Sequence, residues 1–292
     1  MIKSSSSPND LRRRAESVAG PLPPLLVAAQ RVAATVEQGV HGRRRVGSGD
    51  SFWQFRRYQP GESATAIDWR QSAKGDPLYV RETEWAAAQT VWLWVDCSAS
   101  MAFRSPTIAE NKGERAALLA LALAVLLVRA GERVALLGGG DRPAGGKAAL
   151  ERLALALSTD RTGSEPEPAA AAVARHGRVV LIGDFLTEPA QVRARVAAFV
   201  ARGVRGHLLQ VLDPAEETLP FAGRVVFEDA ESHERLPVER VETLRGAYLN
   251  RLAAHRVALQ DLACAAGWGF TGHRTDHPPH PALLALHEAF GR

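Results

Sequence analysis

Asp96, Ser98 and Ser100 form a D-x-S-x-S run, DCSAS, directly after the apolar stretch VWLWV. A carboxylate and two hydroxyls on one tight turn are hard oxygen donors. Mg²⁺ accepts octahedral oxygen coordination and keeps several waters, so it needs few protein ligands. Thr162, in the later loop STDRTGS, offers a third hydroxyl, with Thr159 and Ser164 as close competitors. Asp184 closes the apolar run RVVLIGD and is expected to hold a metal-bound water from the outer shell. Together these residues predict a site for Mg²⁺, or Mn²⁺, made of Asp96, Ser98, Ser100, Thr162 and Asp184. Taken alone, the Asp and Ser residues read more readily as a helix cap or a turn.

Two other chemistries bear on the same residues. Asp96 at a strand end could act as an aspartyl-phosphate nucleophile with Mg²⁺. Phosphatases of the haloacid-dehalogenase type carry a second Asp two residues on, where this chain has Ser98, so the hydrolase reading is the weaker one. GGGDRPAGGK (138–147) is Gly-rich, but its GK lacks a following Ser or Thr and the spacing is not that of a P-loop. No GxSxG elbow occurs. The run HRTDHPPH (273–280) is a weak candidate for a transition metal and reads as solvated surface. Cys97 reads as a small buried residue.

These side chains need a scaffold that brings several loops to one edge. From residue 91 the chain alternates continuous apolar runs with helical Ala/Leu segments. VWLWVD (91–96), RVALLG (133–138), RVVLIGD (178–184), VRGHLLQVLD (204–213) and WGFTGHRTD (268–276) read as strands. Helices are predicted over 113–130, 147–157, 166–175, 188–202, 239–266 and 281–290, with a β-hairpin over 224–238. This alternation predicts an α/β fold, a Rossmann-like, mostly parallel sheet with helices on both faces. Ligands in such sheets sit outside the carboxyl ends of the strands, where strand order reverses. Asp96 and Asp184 are delivered to that edge.

The first third differs in chemistry. Residues 1–90 hold 13 of the 36 basic and 9 of the 32 acidic residues, so the whole excess of +4 lies there. Residues 1–20 read as a flexible tail, 21–89 as a helix (25–38) followed by a β-rich extension, and 90–292 as the α/β domain. Arg43, Arg44, Arg45, Arg56 and Arg57 with nearby aromatics raise nucleic-acid binding. Asp50, Glu62 and Asp68 dilute that patch, so nucleic acid is disfavoured. Trp53, Trp69 and Trp85 read as anchors of the extension. The segment carrying Arg56, Arg57, Asp68 and Trp69 is a possible partner surface.

Composition excludes some classes. With 46% hydrophobic and 23% charged residues the chain is an ordinary globular sequence, not a disordered one. The apolar run 116–128 is shorter than the roughly 20 residues of a membrane span. The first residues lack the pattern of a secretory signal, and two cysteines suit a reducing compartment. The expectation is a cytoplasmic protein with no membrane partner.

D-x-S-x-S at the end of an apolar strand, with a later Thr and a strand-ending Asp, resembles the metal-ion-dependent adhesion site (MIDAS) of von Willebrand factor A (vWA) domains. A narrower resemblance rests on FWQFRRYQPGE, IDWRQSA, VRETE and the strand into DCSASM. LPFAGRVVFEDAESHERLPV, Tyr248, His255 and FTGHRTD extend it. These elements are similar to the domain-of-unknown-function family 58 (DUF-58), with Glu62 where many members have Asp. The resemblance implies a vWA-like domain in a family with no assigned reaction, and the ligand set, mostly neutral hydroxyls with one direct carboxylate, points to a non-enzymatic, metal-dependent interaction module. Through the family's association with MoxR-type AAA+ ATPases, the resemblance also implies an adaptor or chaperone-like role toward such an ATPase or its client.

Overall fold

In this computed structural model the residues described are 24–40, 52–59, 63, 65, 67–75, 77–83, 89–140, 142–159 and 168–290. The predicted tail, the Arg43–Arg45 loop, Trp85 and Thr162 lie outside them.

The chain divides into two units, residues 43–88 and the remainder. The larger unit is built on five parallel strands: β3 (Thr90–Val95), β4 (Arg133–Leu136), β5 (Arg178–Gly183), β6 (Arg205–Leu212) and β9 (Gly269–Arg274). Their order is β4-β3-β5-β6-β9. After β3 the chain first moves out to β4, then crosses back to place β5 on the other side of β3. The reversal point is therefore the crevice between β3 and β5, where the physics of the fold puts ligands.

Helices cover both faces because the strands are apolar on both. Leu93, Val95, Val180, Ile182, Leu209 and Val211 pack with α1 (Pro24–Val40), α3 (Lys112–Arg129), α4 (Gly146–Ser158) and α8 (His280–Phe290). Trp94, Val179, Leu181 and Leu208 pack on the other side with α5 (Pro189–Val200) and α7 (Val241–Ala265). The run 116–128 lies in α3, and every residue from Ala116 to Leu127 is buried. A helix apolar all round must be enclosed, and here it lies between the sheet and α1.

Two expectations need correction. Helix α1 does not go with the extension: Leu26, Ala29, Ala33 and Val36 sit in the core of the larger unit, against α3 and α8. The predicted helix over 166–175 is, among the described residues, only a 3₁₀ turn at Ala170–Ala172. Alanine propensity there lacks a continuous apolar stripe to bury: Val173 enters the core with Ala170 packed against it, while Ala169, Ala171 and Ala172 do not.

The smaller unit pairs β1 (Phe52–Arg57) antiparallel with β2 (Tyr79–Thr83), with a short helix α2 (Trp69–Ser72) between them in the chain. Asp68 caps α2 by accepting the Gln71 N–H at 2.9 Å. The larger unit also carries α6 (Pro214–Thr218) and a two-stranded hairpin of β7 (Val225–Glu228) and β8 (Arg235–Val238). Among the described residues no helix is long and apolar enough to cross a membrane.

Candidate metal-site loop

Asp96 leaves β3 with its N–H still donated to Ile182 O at 2.8 Å, so it stays locked to β5. Its Oδ1 accepts the Ser98 N–H at 2.9 Å, which turns the chain back. Ser98 then caps a 3₁₀ turn, Ala99–Ala102, whose Met101 plugs into the core. The two serine hydroxyls are thereby brought to 3.1 Å from each other. Adjacent ligands on an octahedron with metal–oxygen bonds of about 2.1 Å lie roughly 3.0 Å apart. The serine pair thus fits two neighbouring positions of a small hard cation.

Asp184 follows β5 across the crevice. Ser100 Oγ donates to its Oδ2 at 2.7 Å, and Leu186 N–H donates to its Oδ1 at 3.2 Å. Gln210 on β6 donates to its carbonyl at 3.0 Å, and His255 on α7 contacts the next carbonyl, of Phe185, at 2.7 Å. Phe185 adopts the left-handed region, φ 51°, to make this turn. The approach of the two loops also needs Gly183. A Cβ there would lie 2.8 Å from both Cβ and Oδ2 of Asp96.

Four of the five predicted ligands therefore belong to one arrangement: Asp96, Ser98, Ser100 and Asp184. Thr162 lies outside the described residues. Its competitor Thr159 lines the same cleft of about 280 Å³ as Asp96 and Ser98, although its hydroxyl is donated to Leu155 O. Among the described residues no three His, Cys, Asp or Glu side chains form a metal cage. An ion here would depend on hydroxyls and water, which suits Mg²⁺ or Mn²⁺ and not a soft metal.

Sequence reasoning missed Lys112. Its side chain is wholly buried, and its Nζ lies 2.8 Å from Asp184 Oδ2 and 2.6 Å from Glu216 Oε1. Burial pulls this ammonium toward neutrality, but the charges and hydrogen bonds of Asp184 and Glu216 outweigh it and hold the lysine above its ordinary range. Burial likewise pushes the Glu216 carboxyl up. Because Glu216 also accepts the Asp213 N–H, the ionised pair is the state that satisfies every donor. A signal existed in the sequence: Lys112 opens helix α3, where the helix dipole disfavours a cation. Glu231, on the hairpin turn, was also missed. Its Oε1 accepts the Ser100 N–H at 3.1 Å.

The remaining candidates fall out differently. Asp213, the third strand-ending Asp, caps α6 and receives the N–H and hydroxyl of Ser105, which fixes the loop beyond the serines. Cys97 is half-buried and its thiol faces Val95 O. His273 is buried at the start of the His-containing run, and Arg274 pairs with Asp276. In the smaller unit Arg57 is exposed, Arg56 pairs in register with Val80, and Asp68 is the helix cap already described. Trp69 corrects its expectation as an anchor: it is 63% exposed.

Comparison with known proteins shows the family. The model of the family described as "Protein of unknown function DUF58" matches residues 54–258. Uncharacterized proteins of Mycobacterium bovis and Mycobacterium tuberculosis are 29% identical over 276 residues, which is 87% of this chain and 86% of each relative. Two solved structures cover 70% of the chain. One is an aerotolerance-related membrane protein from Bacteroides fragilis, with 16% identity, TM-score 0.43 and 99% of its own chain covered. The other is the conserved hypothetical protein BatB from Bacteroides thetaiotaomicron, with 13% identity, TM-score 0.44 and 100% covered. By the extent of the family match, the chain belongs to the DUF58 family.

Proposed function

We propose that the chain is a non-enzymatic interaction module that recognises an acidic side chain of a partner protein through a divalent cation held at the D-x-S-x-S loop. Asp96, Ser98 and Ser100 would hold Mg²⁺ or Mn²⁺ from one side, and Asp184 would act through Ser100 and water. The single observation that supports this most is the convergence of Ser98, Ser100 and Asp184 at 3.1 and 2.7 Å in the crevice between β3 and β5. A cation bound mostly by neutral hydroxyls keeps enough charge to attract a carboxylate from outside. Asp96 fixes the loop through Ser98, while Asp184 orients the Ser100 hydroxyl. The partner class is a MoxR-type AAA+ ATPase or its client, an assignment carried by the family resemblance alone.

A second reading has its own observation. Lys112 already places one positive charge against Asp184 and Glu216, so the loop is partly held without any metal and could present a fixed polar surface. The hydrolase alternative gains no support, because a hydroxyl stands at Ser98 where an acid is needed.

Affinity capture from native lysate separates the first two readings. Wild type and Asp96→Ala are compared with Mg²⁺ and with EDTA. The metal-dependent reading expects an ATPase, or a protein bound to one, recovered by wild type only with Mg²⁺. Equal recovery in EDTA supports the metal-free reading and removes the first.

A further inference from the structure

The β7–β8 hairpin reaches back to the loop that precedes it by more than a hundred residues. Its base is anchored by Val238 with Leu219 and Val241, and by Phe227 against Phe221 with ring centroids 5.9 Å apart. Its tip is shaped by Asp229, whose Oδ1 accepts the N–H groups of Glu231 at 2.9 Å and Ser232 at 2.6 Å. His233, at φ 58°, completes the turn. Of the neighbouring acids, Glu228 pairs with Arg235 and Asp229 with the turn itself. Glu231 points elsewhere. Its Oε1 meets Ser100 N–H on the D-x-S-x-S loop, while among the described residues its Oε2 takes no hydrogen bond. A carboxylate from the chain's own hairpin is thus tied to the backbone of the loop that carries the Ser98–Ser100 hydroxyl pair.

We infer that Glu231 is a built-in acidic ligand of this site. Its carboxylate takes the open position on the cation that a partner's acidic side chain would otherwise fill, so hairpin and partner compete for one ion. The inference rests on the metal-dependent reading above and supplies its regulation. Being exposed and tied to the loop by a single backbone N–H, the carboxylate is displaceable.

The test uses the full chain, Mn²⁺ as the ion and sodium acetate as a bare carboxylate probe. Glu231→Gln keeps an oxygen that can accept the Ser100 N–H but loses the charge. Mn²⁺ titration followed by electron paramagnetic resonance is expected to show affinity lowered about tenfold or more in the variant. Acetate is expected to lower the water-proton relaxivity of the Mn²⁺-loaded variant by displacing bound water, and to leave loaded wild type unchanged. If wild type binds Mn²⁺ but Glu231→Gln binds equally well, or if acetate acts alike on both, Glu231 is only a turn anchor and the inference is overturned while the metal site stands. If wild type binds no Mn²⁺, both readings fall.

Discussion

Lys112→Met removes the ammonium that joins Asp184 to Glu216 and keeps the apolar stem of the side chain. The lysine side chain is 0% exposed and its two partners 5% and 16%. Deleting one member of a buried ion pair leaves an uncompensated charge and costs about 3–5 kcal/mol. For a unit of this size, each kcal/mol lowers the melting temperature by about 2–4 °C, so a fall of roughly 6–20 °C is expected in EDTA at neutral pH. A metal addition and one further variant locate the cause. Saturating Mn²⁺ should recover most of the loss in Lys112→Met, because a dication replaces the missing charge beside Asp184. Combining Lys112→Met with Asp184→Asn and Glu216→Gln should be more stable in EDTA than Lys112→Met alone, because no buried charge is then left unpaired. Thermal unfolding followed by circular dichroism measures all of these. A Lys112→Met protein as stable as wild type in EDTA, or a triple variant no better than the single one, would refute the charge-balance reasoning.

Gly183→Ala puts a methyl group where Asp96 sits. It should lower Mn²⁺ affinity at least tenfold by moving the Asp96 carboxylate, with a stability loss of about 1–3 kcal/mol in urea unfolding. Burial lowers the pKa values of His207 and His273 to about 4 each. The unfolded chain then binds more protons than the folded one between about pH 6.5 and 4, so stability is full above that window and lost as pH falls through it. Each histidine contributes a loss of about 3 kcal/mol by pH 4, and His207→Gln should flatten the measured dependence of unfolding free energy on pH over that range.

The fold was legible where chemistry and periodicity coincide. Apolar runs closing on Asp96, Asp184 and Asp213 mark three parallel strands, because a strand covered on both faces is apolar throughout and its first polar residue marks where it ends. The hairpin at 224–238 and the long helix after it were legible for similar reasons. Ala170–Ala172 was misread because alanine favours helix without supplying anything to bury. Helix α1 was assigned to the wrong unit because an amphipathic face says that it packs, not against what. The site was legible in the D-x-S-x-S run and in the strand-closing Asp184. D-x-S-x-S is read along the chain, but Lys112 meets Asp184 across 72 residues and Glu231 meets Ser100 across 131. Glu231 looks like an ordinary surface charge until the fold brings its partner to it, and Lys112 is marked only by its place at a helix start.

The proposed function requires a hard dication held by Asp96, Ser98 and Ser100, with Asp184 behind them, at the crevice between β3 and β5. Titration of the full chain with Mn²⁺, read by electron paramagnetic resonance, tests it most directly. One bound ion per chain is expected in wild type, displaced by excess Mg²⁺ and absent in Asp96→Ala. No bound Mn²⁺ in wild type, or equal binding in Asp96→Ala, would contradict it.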